Sequence, residues 1–166
     1  PTYTVAISTD SGSTWDETSN TGLTALTLSK NGLVNGQTYQ YKISATNTLG
    51  TSAYTAGVSG KAGDVPSQPV GLSVTPLSAT DLTFAWGIPN DNGYALTGYK
   101  VERSTDNFAT VTTLLNANYQ NNVYTDTGLT SSTIYNYRVS AINNLGTSPV
   151  SGTASGATFG VPDAVD

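Results

Sequence analysis

Apolar and polar side chains alternate along Tyr135-Asn136-Tyr137-Arg138-Val139-Ser140-Ala141. That period of two places Tyr135, Tyr137, Val139 and Ala141 on one face of a half-buried strand. Further strands are predicted at residues 71–75, 81–86, 98–104, 110–115, 123–126 and 153–158, separated by turn clusters such as Pro89-Asn90-Asp91-Asn92-Gly93. No helical period competes with them. Seven short strands within about 90 residues predict an all-β sandwich of two stacked sheets.

The pattern occurs twice. Tyr3-Thr4-Val5 and Ser8-Thr9-Asp10 align with Tyr99-Lys100-Val101 and Ser104-Thr105-Asp106, an offset of 96 residues. Tyr39 to Asn47 aligns with Tyr135 to Asn143 at the same offset, as do Leu49-Gly50-Thr51-Ser52 with Leu145-Gly146-Thr147-Ser148 and Val65-Pro66 with Val161-Pro162. A unit of this length exceeds the roughly 20–50 residues of a solenoid repeat and has the size of a domain. The sequence therefore reads as a tandem array of modules.

Composition narrows the chemistry. The 166 residues contain no Cys, His or Met, which excludes disulfides, thiol nucleophiles, imidazole bases and ordinary zinc or copper sites. Charged residues make up 10%, well below the roughly 25% of average soluble domains, yet 37% are hydrophobic, enough for a core. The net charge is −5, and the six cations, Lys30, Lys42, Lys61, Lys100, Arg103 and Arg138, form no stripe that would neutralise phosphates, so nucleic acid is not an expected partner. No run of apolar residues is long enough to span a membrane, so this segment is not expected to insert in one. A chain that begins at Pro1 is expected to be part of a longer or processed product, and this Cys-free, acidic composition suits an extracellular or cell-surface protein.

Ordered along the chain, Pro69, Leu72-Ser73-Val74, Leu82-Thr83-Phe84-Ala85-Trp86, Pro89 to Gly93, Leu96-Thr97-Gly98-Tyr99-Lys100-Val101, Leu129 to Tyr135 and Ala141 to Ser148 resemble a fibronectin type III domain. The resemblance implies a complete module at 67–158, a partial one at 1–62 that carries strands C to G and lacks strands A and B, a linker at 63–66, and at 159–166 a linker and the start of a further module. It also implies that Trp86 on strand B is the core tryptophan. Leu129 with Tyr135 is then the tyrosine corner, repeated as Leu33 with Tyr39. Without strands A and B the first module would leave Tyr3, Val5, Ile7, Tyr41 and Ile43 uncovered. Either the sequence is a window from a longer repetitive chain, or strands of a neighbouring copy complete the sandwich.

Few residues invite chemistry. Ser8-Thr9-Asp10-Ser11-Gly12-Ser13-Thr14-Trp15 resembles the Asp box of sialidases and is read as turn scaffolding, with Asp10 accepting backbone hydrogen bonds, Gly12 supplying an unusual φ and Trp15 packing the turn. Its counterpart, Ser104 to Val111, reads as a decayed copy. Glu102, beside Lys100 and Arg103, is read as solvated surface charge rather than half of a glycosidase pair. The oxygens of Asn90 to Gly93 are too few for a calcium site and suit a turn. No catalytic residue, cofactor or metal is expected. The expected function is that of a non-catalytic structural array acting as stalk, adhesive fibre or surface-layer component and behaving as a semi-stiff rod. Its expected partners are neighbouring repeats or copies of the same protein, or a surface glycan. The alternatives are a spacer or accessory module of a secreted polysaccharide-degrading enzyme, or a binding module that uses the loops at 90–96 and 145–148.

Overall fold

Strands are the regular elements of the computed structural model, which describes residues 1–17 and 20–160, and burial alternates with period two at Leu82–Ala85 and through the first half of Ile134–Asn143. Among the described residues there is no helix. The chain divides into two units, Pro1–Gly63 and Asp64–Asp166. The segment 161–166, which holds Val161-Pro162 and most of the expected start of a further module, lies outside the described residues.

The second unit is a β-sandwich. One sheet contains β5 (Ser73–Pro76), β6 (Leu82–Ala85) and β9 (Val123–Asp126) in that order. The facing sheet contains β7 (Gly98–Ser104), β8 (Thr112–Asn116), β10 (Ile134–Asn143), β11 (Gly146–Thr147) and β12 (Ala154–Ala157). All pairs are antiparallel, and β10 lies between β7 on one side and both β11 and β12 on the other. A bulge between Val101 and Glu102 shifts the β7–β8 register. Alternation drives the packing: Leu82, Phe84 and Trp86 from one sheet meet Tyr99, Val101, Tyr137 and Val139 from the other, all at most 2% exposed. Phe84 stacks on Tyr137 at 4.5 Å between ring centres, and Trp86 sits edge-on to Tyr99 at 5.1 Å. Burying such aromatic side chains contributes most of the cohesion of a domain this size.

The first unit is a single sheet. It contains β1 (Thr2–Ser8), β2 (Thr38–Asn47), β3 (Gly50–Thr51) and β4 (Val58–Lys61), with β2 paired to the other three. Between β1 and β2 the described residues form no strand, only the bridges Tyr3 to Leu23 and Ile7 to Asp16. Its registers are those of the second unit moved by the sequence offset: Tyr3 pairs with Ala45 and Thr38 with Lys61, as Tyr99 pairs with Ala141 and Ile134 with Ala157. Its core is small, with Val5, Ile7 and Tyr39 buried and Leu23, Leu33 and Tyr41 partly so. The expectation that the face would be uncovered is corrected for Val5 and Ile7, which are 7% and 8% exposed because Leu23 and Leu33, from the segment between β1 and β2, join this cluster; Ile43 alone of the five is exposed.

Candidate functional site

Each of the two long strands β2 and β10 carries as its second residue a tyrosine whose hydroxyl closes the preceding loop. Tyr135 accepts a hydrogen bond from the backbone N–H of Thr130 at 3.0 Å, and Tyr39 one from Val34 at 2.9 Å. Leu129 is 5% exposed beside Tyr135, and Leu33 is half-buried near Tyr39. Each hydroxyl satisfies an N–H that the loop cannot pair, worth about 1 kcal/mol net. Trp86 lies one residue beyond β6, and its backbone N–H donates to Asn122 while its carbonyl accepts from the Asn122 side chain.

The turn after β1 is built around two side chains. Ser8 Oγ accepts from Gly12 N–H at 2.8 Å, and Asp10 accepts from the Thr14 N–H at 2.9 Å and the Thr14 hydroxyl at 2.6 Å. Trp15 closes the turn through its indole N–H to the Gly12 carbonyl at 3.0 Å. The hydrogen bonds from Thr14, followed by that from Ser8, hold the Asp10 carboxyl down at about 2. The counterpart after β7 is not decayed. Ser104, Asp106 and Thr110 make the same bonds at 2.8, 2.9 and 2.6 Å, and hydrogen bonds from Ser104 and then Thr110 hold Asp106 at about 2. Phe108, with φ at 65°, occupies the left-handed position that Gly12 takes at 88°. That conformation costs a non-glycine residue about 1–2 kcal/mol. The side-chain scaffold and the Arg138 guanidinium, 4.4 Å above the Phe108 ring, offset it.

The charges beside this turn are ordered rather than freely solvated. Glu102 is 7% exposed and pairs with Lys100 and with Arg138 Nε, the latter at 2.6 Å. Burial alone would raise its carboxyl, and the hydrogen bonds and charges of Lys100 and Arg138 reverse this to below the ordinary value. Arg103 points the other way, because period two sends adjacent residues to opposite faces. It crosses the sandwich to Asp126 on β9, with both carboxylate oxygens within 3.0 Å, and Tyr137 donates its hydroxyl to the same carboxylate at 2.9 Å. Burial and then the Asp126 charge push the Tyr137 hydroxyl far up. In the first unit the place of Arg138 belongs to Lys42, whose ammonium lies 4.2 Å from the Trp15 ring and 4.5 Å from the Tyr54 ring.

The densest polar constellation surrounds the segment leading into the second unit. Asp64 N–H donates to the Asn92 carbonyl at 3.1 Å, and Ser67 N–H to the Asn90 carbonyl at 2.9 Å. Asn92 Nδ2 donates to the Val65 carbonyl at 2.7 Å. Asn143, 4% exposed, donates through Nδ2 to the carbonyls of Asp64 and Asp91 at 2.8 and 3.2 Å, while its Oδ1 accepts from Leu145 and Gly146 N–H. Pro66 and Pro69 are fully buried. Two loops, 90–94 and 143–146, thus grip residues 64–67 and leave that stretch little freedom. The side-chain oxygens of Asn90 and Asp91 accept from Asn92 and Gly93 N–H, so they serve the turn. Sequence reasoning missed this role of Asn143. The available signal was the repeated Asn-x-Leu-Gly of residues 47–50 and 143–146.

Comparison with known proteins agrees with this architecture. Residues 67–156, more than half of the chain, match the fibronectin type III domain family. Exoglucanase B of Cellulomonas fimi is 32% identical over 84% of the chain, receptor-type tyrosine-protein phosphatase F of Danio rerio 34% over 69%, and alpha-amylase of Niallia circulans 31% over 60%. The chain spans only 13%, 6% and 7% of the lengths of these three proteins. A crystal structure of consecutive domains from titin matches 96% of the chain with a TM-score of 0.62 at 22% identity, covering 55% of that structure, a likeness of fold alone.

Proposed function

Because the chain belongs to the fibronectin type III family, we propose that it serves as a non-catalytic spacer array of an extracellular protein, in which its first unit is a second module of the same kind as the matched one. The observation that carries this reading is the grip of Asn90, Asn92 and Asn143 on residues 64–67. A spacer is useful when the chain enters each module in a set direction, and here the lead-in is hydrogen-bonded into the module it introduces. Pro66 adds stiffness by fixing its own φ and biasing Val65 towards extended conformations.

Backbone amide relaxation tests the mechanism. Asp64, Val65 and Ser67 are expected to be as ordered as β10, and Asn92→Ala with Asn143→Ala is expected to loosen them. Residues 64–67 that tumble freely in the unaltered chain would count against the spacer.

A second reading narrows the setting. Two of the relatives are by name an exoglucanase and an alpha-amylase, which favours an accessory module of a secreted polysaccharide-degrading enzyme over a stalk, adhesive fibre or surface-layer component. As a spacer, the chain is expected to show no retention on cellulose or starch. Retention on either would replace the spacer with a glycan-binding module.

A further inference from the structure

Asparagine is followed by glycine at three places, Asn31-Gly32, Asn35-Gly36 and Asn92-Gly93. In such a pair no side chain shields the glycine nitrogen, which can attack the asparagine side-chain carbonyl carbon, Cγ, and close a five-membered ring. The attack requires the asparagine side chain to swing over its own backbone. Exposed side chains change rotamer freely, so the fold decides which pair can react.

The three pairs are held to different degrees. At Asn92 both reacting groups are engaged: Nδ2 donates to the Val65 carbonyl at 2.7 Å, and the Gly93 N–H to Asp91 Oδ1 at 2.9 Å. At Asn35 the attacking nitrogen is engaged, because the Gly36 N–H donates to the Ala62 carbonyl at 2.8 Å within a turn that the Gln37 N–H closes onto Val34 at 3.1 Å. At Asn31 neither group is engaged. Among the described residues no hydrogen bond holds the Asn31 side chain or the Gly32 N–H, and both residues are exposed. Gly32 has φ at 73°, and a Cβ added to it would meet nothing within 4 Å.

That openness belongs to the turn and not to the small core of the first unit. At the sequence offset, Thr127 and Gly128 hold the same place in the second unit, where the sandwich has both sheets. Both are exposed there too, with φ at 70° for Gly128 and nothing within 4 Å of an added Cβ. Thr127 has no side-chain amide, so the second unit has the turn without the reaction.

We propose that Asn31 is a site of spontaneous deamidation, which the fold confines to this one of the three pairs. The Gly32 nitrogen loses its proton to solvent base and bonds to Asn31 Cγ. The Cγ–Nδ2 bond breaks, and Nδ2 leaves as ammonia with a proton from water. Water then opens the succinimide by breaking one of its two C–N bonds. Attack at Cγ gives aspartate, and attack at the backbone carbonyl carbon gives isoaspartate; nothing is oxidised or reduced. Either product adds one negative charge to the formal −5. Isoaspartate also lengthens the backbone by one methylene just ahead of Leu33 and Val34, and the Val34 N–H closes onto the Tyr39 hydroxyl at 2.9 Å. The modification therefore acts on the loop closure of the first unit, and it is independent of the spacer role.

The test incubates the full chain at mildly alkaline pH and follows its peptides by mass spectrometry, with electron-driven fragmentation to distinguish isoaspartate from aspartate. A gain of about 1 Da is expected at Asn31. It should appear at least about tenfold faster than at Asn35 or Asn92 in the folded chain, and in concentrated urea the three rates should converge to within about threefold. Thr127→Asn, which builds the pair into the open turn of the second unit, is expected to create a second reactive position. An Asn31 that stays intact in the folded chain, or an Asn35 or Asn92 that reacts as fast, overturns the proposal. So does a lead of Asn31 that persists unchanged in urea, since local sequence and not the fold would then make the selection.

Discussion

Asp10 and Asp106 sit in exposed turns, yet hydrogen bonds from Ser and Thr hold both carboxyls near 2, against an ordinary 3.8. A carboxyl whose folded value is depressed adds stability that is complete above its unfolded pKa and disappears as pH falls through the folded value. These two turns therefore contribute fully above pH 4 and lose that contribution between about pH 4 and pH 2. Urea unfolding followed across this range is expected to show a falling midpoint, flatter in the Asp10→Asn, Asp106→Asn double variant. Glu102, lowered by Lys100 and Arg138, acts in the same direction and leaves some residual slope. At this scale the sequence was readable for Asp10, Gly12 and Trp15, whose partners lie within five residues. It was not readable for Glu102 or Arg103, whose partners Arg138 and Asp126 lie on other strands. Nor was the persistence of the turn at Phe108 readable, because a glycine rule judges backbone strain without the hydrogen bonds that compensate for it.

Among the elements, the last strand of each unit is broken, and the break has a side-chain cause. In the second unit the N–H groups of Val139 and Ala141 donate to the hydroxyls of Ser151 and Ser148, not to a neighbouring backbone. The first unit does the same with Thr55 and Ser52 opposite Ile43 and Ala45. Pro149 stands at the break in one unit, but Ala53 stands at its counterpart in the other, so a proline is not what interrupts the strand. Removing a hydroxyl leaves an N–H unpaired. Ser148→Ala and Ser151→Ala are each expected to destabilise the second unit by about 1–3 kcal/mol in chemical denaturation, with faster amide exchange at Ala141 and Val139 respectively. The matching changes in the first unit should cost less, because their hydrogen bonds are exposed to water that can replace the lost acceptor.

For the molecule as a whole, the two units carry unequal cores. Ten buried hydrophobic residues form one cluster in the second, against Val5, Ile7 and Tyr39 in the first. Because apolar burial supplies most of the driving force, residues 38–47 are expected to exchange their amide protons well before residues 134–143, although the two strands share length and register. Hydrogen exchange with mass spectrometry checks this, and equal protection would mean that the face around Ile43 is already covered in solution.

Periodicity, the 96-residue repeat and the ordered family residues were sufficient by themselves to specify an all-β sandwich around Trp86, because alternation and turn chemistry are local properties that a strand carries wherever it is placed. Seven strands were expected in the second unit, and eight are present because the last is split by the serine hydroxyls. The grip of Asn143 on the lead-in, the Arg103–Asp126 link across the sheets and the burial of Glu102 were settled only by tertiary structure. Each of these depends on which distant segments arrive side by side and on how much water their meeting excludes, and neither quantity is present in any short stretch of sequence.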